Sequence, residues 1–135
     1  MKKLLAALVV FTSLTGCLKT VENKTGRVLV PLQITGAQTP AETVPGSRIN
    51  ARVSVKGSNK CYEFVGFDVR SNVQNTYDIR AYGSYPADTS NLNCGTGLFQ
   101  LDTAFSLPLY MEGKYVIRYY NDMTLLKADT VTVRN

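Results

Sequence analysis

The chain of 135 residues carries 15 Lys and Arg against 10 Asp and Glu, a formal charge of +5, with 44% hydrophobic residues, three Cys, no His and no Trp. A chain of this size holds one domain of ordinary core volume. Without histidine, Ser-His-Asp and Cys-His nucleophilic sites, His-based zinc sites and the usual general base near neutral pH are excluded, so a binding role without a cofactor is expected rather than an enzyme.

Lys2 and Lys3 precede an apolar run from Leu4 to Phe11. The run is short against the roughly 20 residues a membrane-spanning helix needs, and it reads as a signal peptide. It leads into Leu14-Thr15-Gly16-Cys17, and all four positions resemble the lipobox of bacterial lipoprotein precursors. The resemblance implies that the Cys17 thiol receives a diacylglyceryl group, that cleavage falls between Gly16 and Cys17, and that the freed amino group takes a further acyl chain such as palmitate. Two or three chains anchor durably, because each buried CH₂ contributes about 0.8 kcal/mol and a single chain holds only marginally. The expected location is therefore the bacterial cell envelope, with the outer membrane as the expected membrane. The bland alternative is an ordinary secretory signal with a chance Cys.

The expected organisation is a signal peptide over 1–16, a lipidated Cys and polar tether over 17–26, and a folded domain over 27–135. Removal of Lys2 and Lys3 leaves a mild basic excess. The remaining basic residues run from Lys19 to Arg134 without a cluster of three, so no nucleic-acid-binding stripe is expected.

With Cys17 assigned to the anchor, Cys61 and Cys94 remain. Export places them in an oxidising compartment, and a disulfide is the leading reading. It closes a loop of about 34 residues, for roughly 3 to 4 kcal/mol in the chain-entropy model. A redox-active pair is the alternative, but around Cys61 only Lys60 would lower a thiol pKa.

From Arg27 onward the pattern has period two. Val28, Val30, Leu32 and Ile34 form a first inward row, with Pro31 suggesting an edge. Ile49, Ala51, Val53 and Val55 form a second. Val65, Phe67 and Val69 follow, then Tyr77, Ile79 and Ala81, then Phe99, Leu101, Phe105 and Leu107, then Tyr115, Ile117 and Tyr119, and last Val131 and Val133. Turn signals lie at Pro45-Gly46, Gly57-Ser58-Asn59, Ser71-Asn72, Glu112-Gly113 and Asn121-Asp122. Seven short strands without a helical pattern predict an all-β, two-sheet antiparallel sandwich.

Glu112-Gly113-Lys114-Tyr115-Val116-Ile117 resembles the entry to the sixth strand of immunoglobulin-like domains. The resemblance implies a seven-stranded Ig-like β-sandwich in which Tyr115 is the tyrosine-corner residue, its hydroxyl bonded to nearby backbone. Ile117 stands where antibody domains have Cys, so the disulfide would instead staple a loop to the rim. More broadly, residues 27–134 resemble small Ig-like domains of an uncharacterised bacterial lipoprotein family, through Pro31 to Ala37, Cys61-Tyr62, Cys94, Gly113-Lys114-Tyr115 and Asp129 to Val133.

Asp68, Asp78 and Asp102 fall on the polar parity of their strands and read as solvent-facing, which argues against a paired-carboxylate hydrolase. No DxDxDG loop suggests calcium, and no metal is expected. Asp129 shares parity with Val131 and Val133, an awkward place for a carboxylate. On the outward parity, Tyr62, Phe64, Arg80, Tyr82, Arg118 and Tyr120 form the candidate binding surface, on the expectation that the third and sixth strands are neighbours. Tyr, Phe and Arg are enriched at protein interfaces, and stacked aromatics also bind sugars. The connection from Gly83 to Gly97 is a second candidate. The expected role is a membrane-anchored binding or assembly domain for an envelope protein. The alternatives are a carbohydrate or small-ligand module and a purely structural envelope component.

Overall fold

A computed structural model describes residues 26–135. The signal peptide and the lipidation site expected at Cys17 lie outside the described residues. The described chain is all-β, with eight strands: β1 (Arg27–Gln38), β2 (Glu42–Thr43), β3 (Ser47–Gly57), β4 (Glu63–Val73), β5 (Thr76–Pro86), β6 (Phe99–Leu109), β7 (Gly113–Asn121) and β8 (Thr124–Val133). All seven expected segments are strands. The eighth, β2, is a two-residue strand that carries no periodic signal.

The strands form one curled sheet in the order β2-β8-β7-β5-β1-β3-β6, with β4 on β5. The sheet is mixed rather than purely antiparallel, because β5 pairs in parallel with β7 and β2 in parallel with β8. The curl is made by β1. Its first half, Arg27 to Leu32, pairs with β5, and its second half, from Gln33, pairs with β3. Pro31 therefore lies in the half that has β5 alone beside it, where a missing N–H leaves no second ladder short of a donor.

At the changeover a side chain takes the place of a strand. Asn121, the last residue of β7, accepts the Ile34 N–H on Oδ1 at 2.7 Å and donates from Nδ2 to the Ile34 carbonyl at 2.9 Å. One primary amide thus satisfies both backbone groups of a buried residue, as a paired peptide would.

The core follows the alternation where the ladders are regular. Ile49, Ala51, Val53 and Val55 are all buried, as are Tyr115, Ile117, Tyr119, Val131 and Val133. β3 and β6 pair through eleven consecutive positions without a register shift. In β4 the alternation breaks. A bulge between Phe64 and Gly66 turns Val65 outward, to 59% exposure. Phe64 and Phe67 then both pack on the core, with ring centroids 5.2 Å apart, and Phe67 meets Phe105 of β6 edge-on at 5.7 Å. In the expected inward row Val65, Phe67 and Val69, Phe64 thus replaces Val65, because one inserted residue reverses the parity of everything before it, while Val69 keeps the inward parity opposite Ile79 but is 39% exposed. In β1, Val28 is exposed and Leu32 and Ile34 are buried. A second bulge, between Ile34 and Gly36, brings Ala37 inward. The β4–β5 turn falls at Gln74-Asn75 rather than Ser71-Asn72, with Asn75 at φ 55°, a left-handed conformation that Asn tolerates.

Candidate functional site

The expected disulfide is present: Cys61 and Cys94 are bonded, with Cα atoms 5.0 Å apart. It fastens the residues before β4 to the Ala87–Leu98 connection that leads into β6. Around it the rim is built from side chains. Arg27 donates to the Cys61 carbonyl at 2.8 Å, to Ser84 Oγ at 2.8 Å and to the Ser84 carbonyl at 2.9 Å, and pairs with Glu63 at 3.3 Å. Asn59 accepts the Cys61 N–H and donates to the Tyr85 hydroxyl. Tyr62 packs against Tyr85 with centroids 4.8 Å apart and lies on Gly57, where an added Cβ would stand 2.5 Å from the Tyr62 ring. Only glycine lets that ring seat on the strand. Ala87 N–H bonds to the Gly26 carbonyl, so the chain enters the domain at this same rim.

The six residues of the expected binding surface divide into three groups. Tyr62 and Phe64 are half-buried and pack against the core. They support structure and leave the proposed face. Tyr82 lies on the outer face of β5 and, with Leu29, Val65 and Arg70, lines a shallow groove of about 490 Å³. Arg80, Arg118 and Tyr120 do come together: the guanidinium carbons of Arg80 and Arg118 lie 4.8 and 5.7 Å from the centroid of the Tyr120 ring. Strands three and six, β4 and β7, are not neighbours. β5 stands between them and supplies the contact instead.

Charge organises this face. Asp78 on β5 sits opposite Arg118 on β7 and Arg70 on β4, and Asp68 on β4 sits opposite Arg80 on β5. Arg118 Nε donates to Asp78 Oδ1 at 2.6 Å, which raises the guanidinium pKa above its ordinary value. Arg70 Nε donates to Asp68 at 2.7 Å, and Arg80 Nε to the Asp122 carbonyl at 2.9 Å. The expectation of a solvated Asp78 is corrected: it is 7% exposed. Its outward parity holds, but three arginines and Tyr120 cover the face on which it lies. Sequence alternation distinguishes the two faces of a strand and says nothing of what neighbours lay over them.

Asp129, which the alternation left without an account, closes one end of the core. It accepts from Thr39 Oγ1 at 2.8 Å and pairs with Lys127 Nζ at 3.1 Å. The Thr39 hydroxyl is 2.7 Å from the hydroxyl of Tyr119, whose side chain is fully buried, and Lys127 Nζ donates to the Ala37 carbonyl at 2.7 Å. Burial, then the Asp129 charge, push the Tyr119 pKa up against the opposing Thr39 bond. Tyr115 Oη donates to the Met111 carbonyl at 3.0 Å, the local geometry expected of a tyrosine corner.

Among the described residues there is no group of three or more His, Cys, Asp or Glu able to hold a metal ion, and no helix is long and apolar enough to cross a membrane. No family model matches the chain, and no curated protein or solved structure is significantly similar to it.

Proposed function

We propose that this chain is a lipid-anchored protein of the bacterial cell envelope whose exported domain works by binding or assembly rather than by catalysis. The observation that carries the reading is Leu14-Thr15-Gly16-Cys17 after a basic pair and a short apolar run. The Cys61–Cys94 bond supports it, since structural disulfides persist in oxidising compartments. We read the fold as a variant of the Ig-like sandwich. Tyr115 bonded to Met111 and the parallel β2–β8 edge support this, while β5 in place of β4 beside β7 departs from the usual order.

Within this reading the partner surface is the Arg80–Arg118–Tyr120 cluster with Tyr82. Two guanidiniums already lie over the Tyr120 ring, so the cluster suits a protein partner with carboxylates better than a sugar that must stack on an open ring. Anchoring is tested with Cys17→Ser, which should abolish acyl labelling and release the domain to the soluble fraction. Retained labelling overturns it. Tyr82→Ala with Tyr120→Ala should lose a co-purifying envelope protein while glycan retention is unchanged. Loss of glycan retention instead would move the assignment to a carbohydrate module.

A further inference from the structure

We propose that the outer edge of β6 pairs with the same edge of a second copy of this chain, antiparallel, in the register that sets Thr103 opposite Thr103. Three strand edges end the curled sheet, and they differ. β4 is interrupted by two register shifts and carries Asp68 and Arg70, whereas β8 is covered by β2 at Thr132 and Val133, carries Lys127 and Asp129 before them and meets β7 with a register shift between Tyr119 and Tyr120. These are the usual protections of an edge. β6 has none of them over most of its length. It runs unbroken against β3 for eleven residues, has Asp102 as its single charged residue, and has no Lys or Arg.

The direction of its free backbone groups can be worked out. The Leu109 carbonyl bonds to Gly46 N–H, on the β3 side, and Pro108 has no N–H to give. In an unbroken antiparallel ladder successive residues point to opposite sides, so Gln100, Asp102, Ala104 and Ser106 turn their N–H and C=O groups away from β3. Among these, the Ser106 carbonyl takes a long bond of 3.4 Å from Arg48.

Self-pairing about Thr103 sets Gln100 against Ser106 and Asp102 against Ala104, so each free N–H and C=O meets its counterpart. The alternative about Asp102 sets two carboxylates face to face, and the one about Ala104 sets Gln100 against Pro108 and forfeits a donor. The inward row agrees. Leu101 is 36% exposed and Phe99 half-buried, whereas Phe105 and Leu107 are buried. About Thr103, Leu101 lies beside the partner's Phe105 and Phe99 beside the partner's Leu107, so the poorly covered half of each strand is set against the well-covered half of the other.

The test uses the full chain in detergent. Thr103→Cys should cross-link to itself on mild oxidation, because directly opposed residues of a non-hydrogen-bonded pair have Cα atoms about 4.5 Å apart, within disulfide reach. Leu101→Cys, set against Phe105, should not. Ala104→Pro added to Thr103→Cys removes an outward N–H from the pairing edge and leaves the β3 ladder intact. It should lower the cross-linked fraction at least about tenfold, the effect of roughly 1.4 kcal/mol. Retention of the Cys61–Cys94 bond and of the β-sheet circular dichroism spectrum checks that each variant is folded. A Thr103→Cys protein that stays monomeric while folded, equal cross-linking of Leu101→Cys, or a cross-link to a different protein would each overturn the proposal.

Discussion

The β3–β6 and β4–β5 ladders are both long antiparallel pairs of eleven-residue strands, yet they are built on opposite principles. The first is continuous, and its inner row of Ile49, Ala51, Val53 and Val55 gives an uninterrupted apolar surface. The second is broken twice: the first break brings Phe64 into the core beside Phe67 and turns Val65 out, and the second leaves Val73 exposed. Regularity yields close packing and an unguarded edge. Irregularity yields an edge that resists pairing and an outer face on which Asp68, Arg70, Asp78 and Arg80 alternate across strands. The proposed self-pairing and the proposed partner surface accordingly fall on different sheet regions, the first on the edge of β6 and the second on the face of β5 and β7.

The two ladders are joined by the disulfide, and breaking it gives the largest expected effect. Cys61→Ala with Cys94→Ala should destabilise the domain by about 3 to 4 kcal/mol in denaturant unfolding, since the bridge restricts the unfolded chain. Hydrogen exchange should rise first at the start of β4, which Cys61 precedes, and last in β3. The bulge is tested by a pair of truncations. Phe67→Ala should lose about 3 kcal/mol, whereas Val65→Ala, at an outward bulged position, should change stability by less than about 0.5 kcal/mol. Equal losses would mean that the alternation continues through Phe64 and that the bulge is absent.

Smaller effects are expected where β1 leaves one strand partner for the other. Asn121→Leu removes the partners of the Ile34 N–H and C=O together and should cost about 2 kcal/mol. The smallest is a pH effect. The Tyr119 pKa is raised in the folded domain, so its contribution is complete below the unfolded value of about 10 and is lost as pH rises through the folded value. Urea midpoints should therefore fall above about pH 10, and Tyr119→Phe should flatten that fall. An unchanged slope in the variant would remove Tyr119 as its source.

The regular parts of the fold were legible because period two is enough where ladders are unbroken. Ile49 to Val55, Tyr115 to Tyr119 and the last two valines stand as the alternation predicts. Bulges were not legible. Glu63-Phe64-Val65-Gly66-Phe67 contains a glycine, but nothing in it states that one residue is extra. β2 was invisible because two residues have no period. Neighbour relations were misjudged for a related reason: strand order is settled by crossovers, and here the parallel β5–β7 pairing places β5 where β4 was expected. The candidate surface was half legible as a result. Arg80, Arg118 and Tyr120 meet through that pairing, while Tyr62 and Phe64 serve the rim and the core. The Asp129 network could have been suspected from a carboxylate on an inward row, but its partner Thr39 lies in an irregular segment without a motif.

Lipid anchoring of a disulfide-closed domain is tested most directly by the intact mass of the native protein extracted from its envelope, measured before and after reduction. The expected mass is that of residues 17–135 carrying a diacylglyceryl group, with a gain of about two hydrogens on reduction from thiol chemistry. A mass matching the unprocessed chain, or a processed chain without acyl groups, would contradict it.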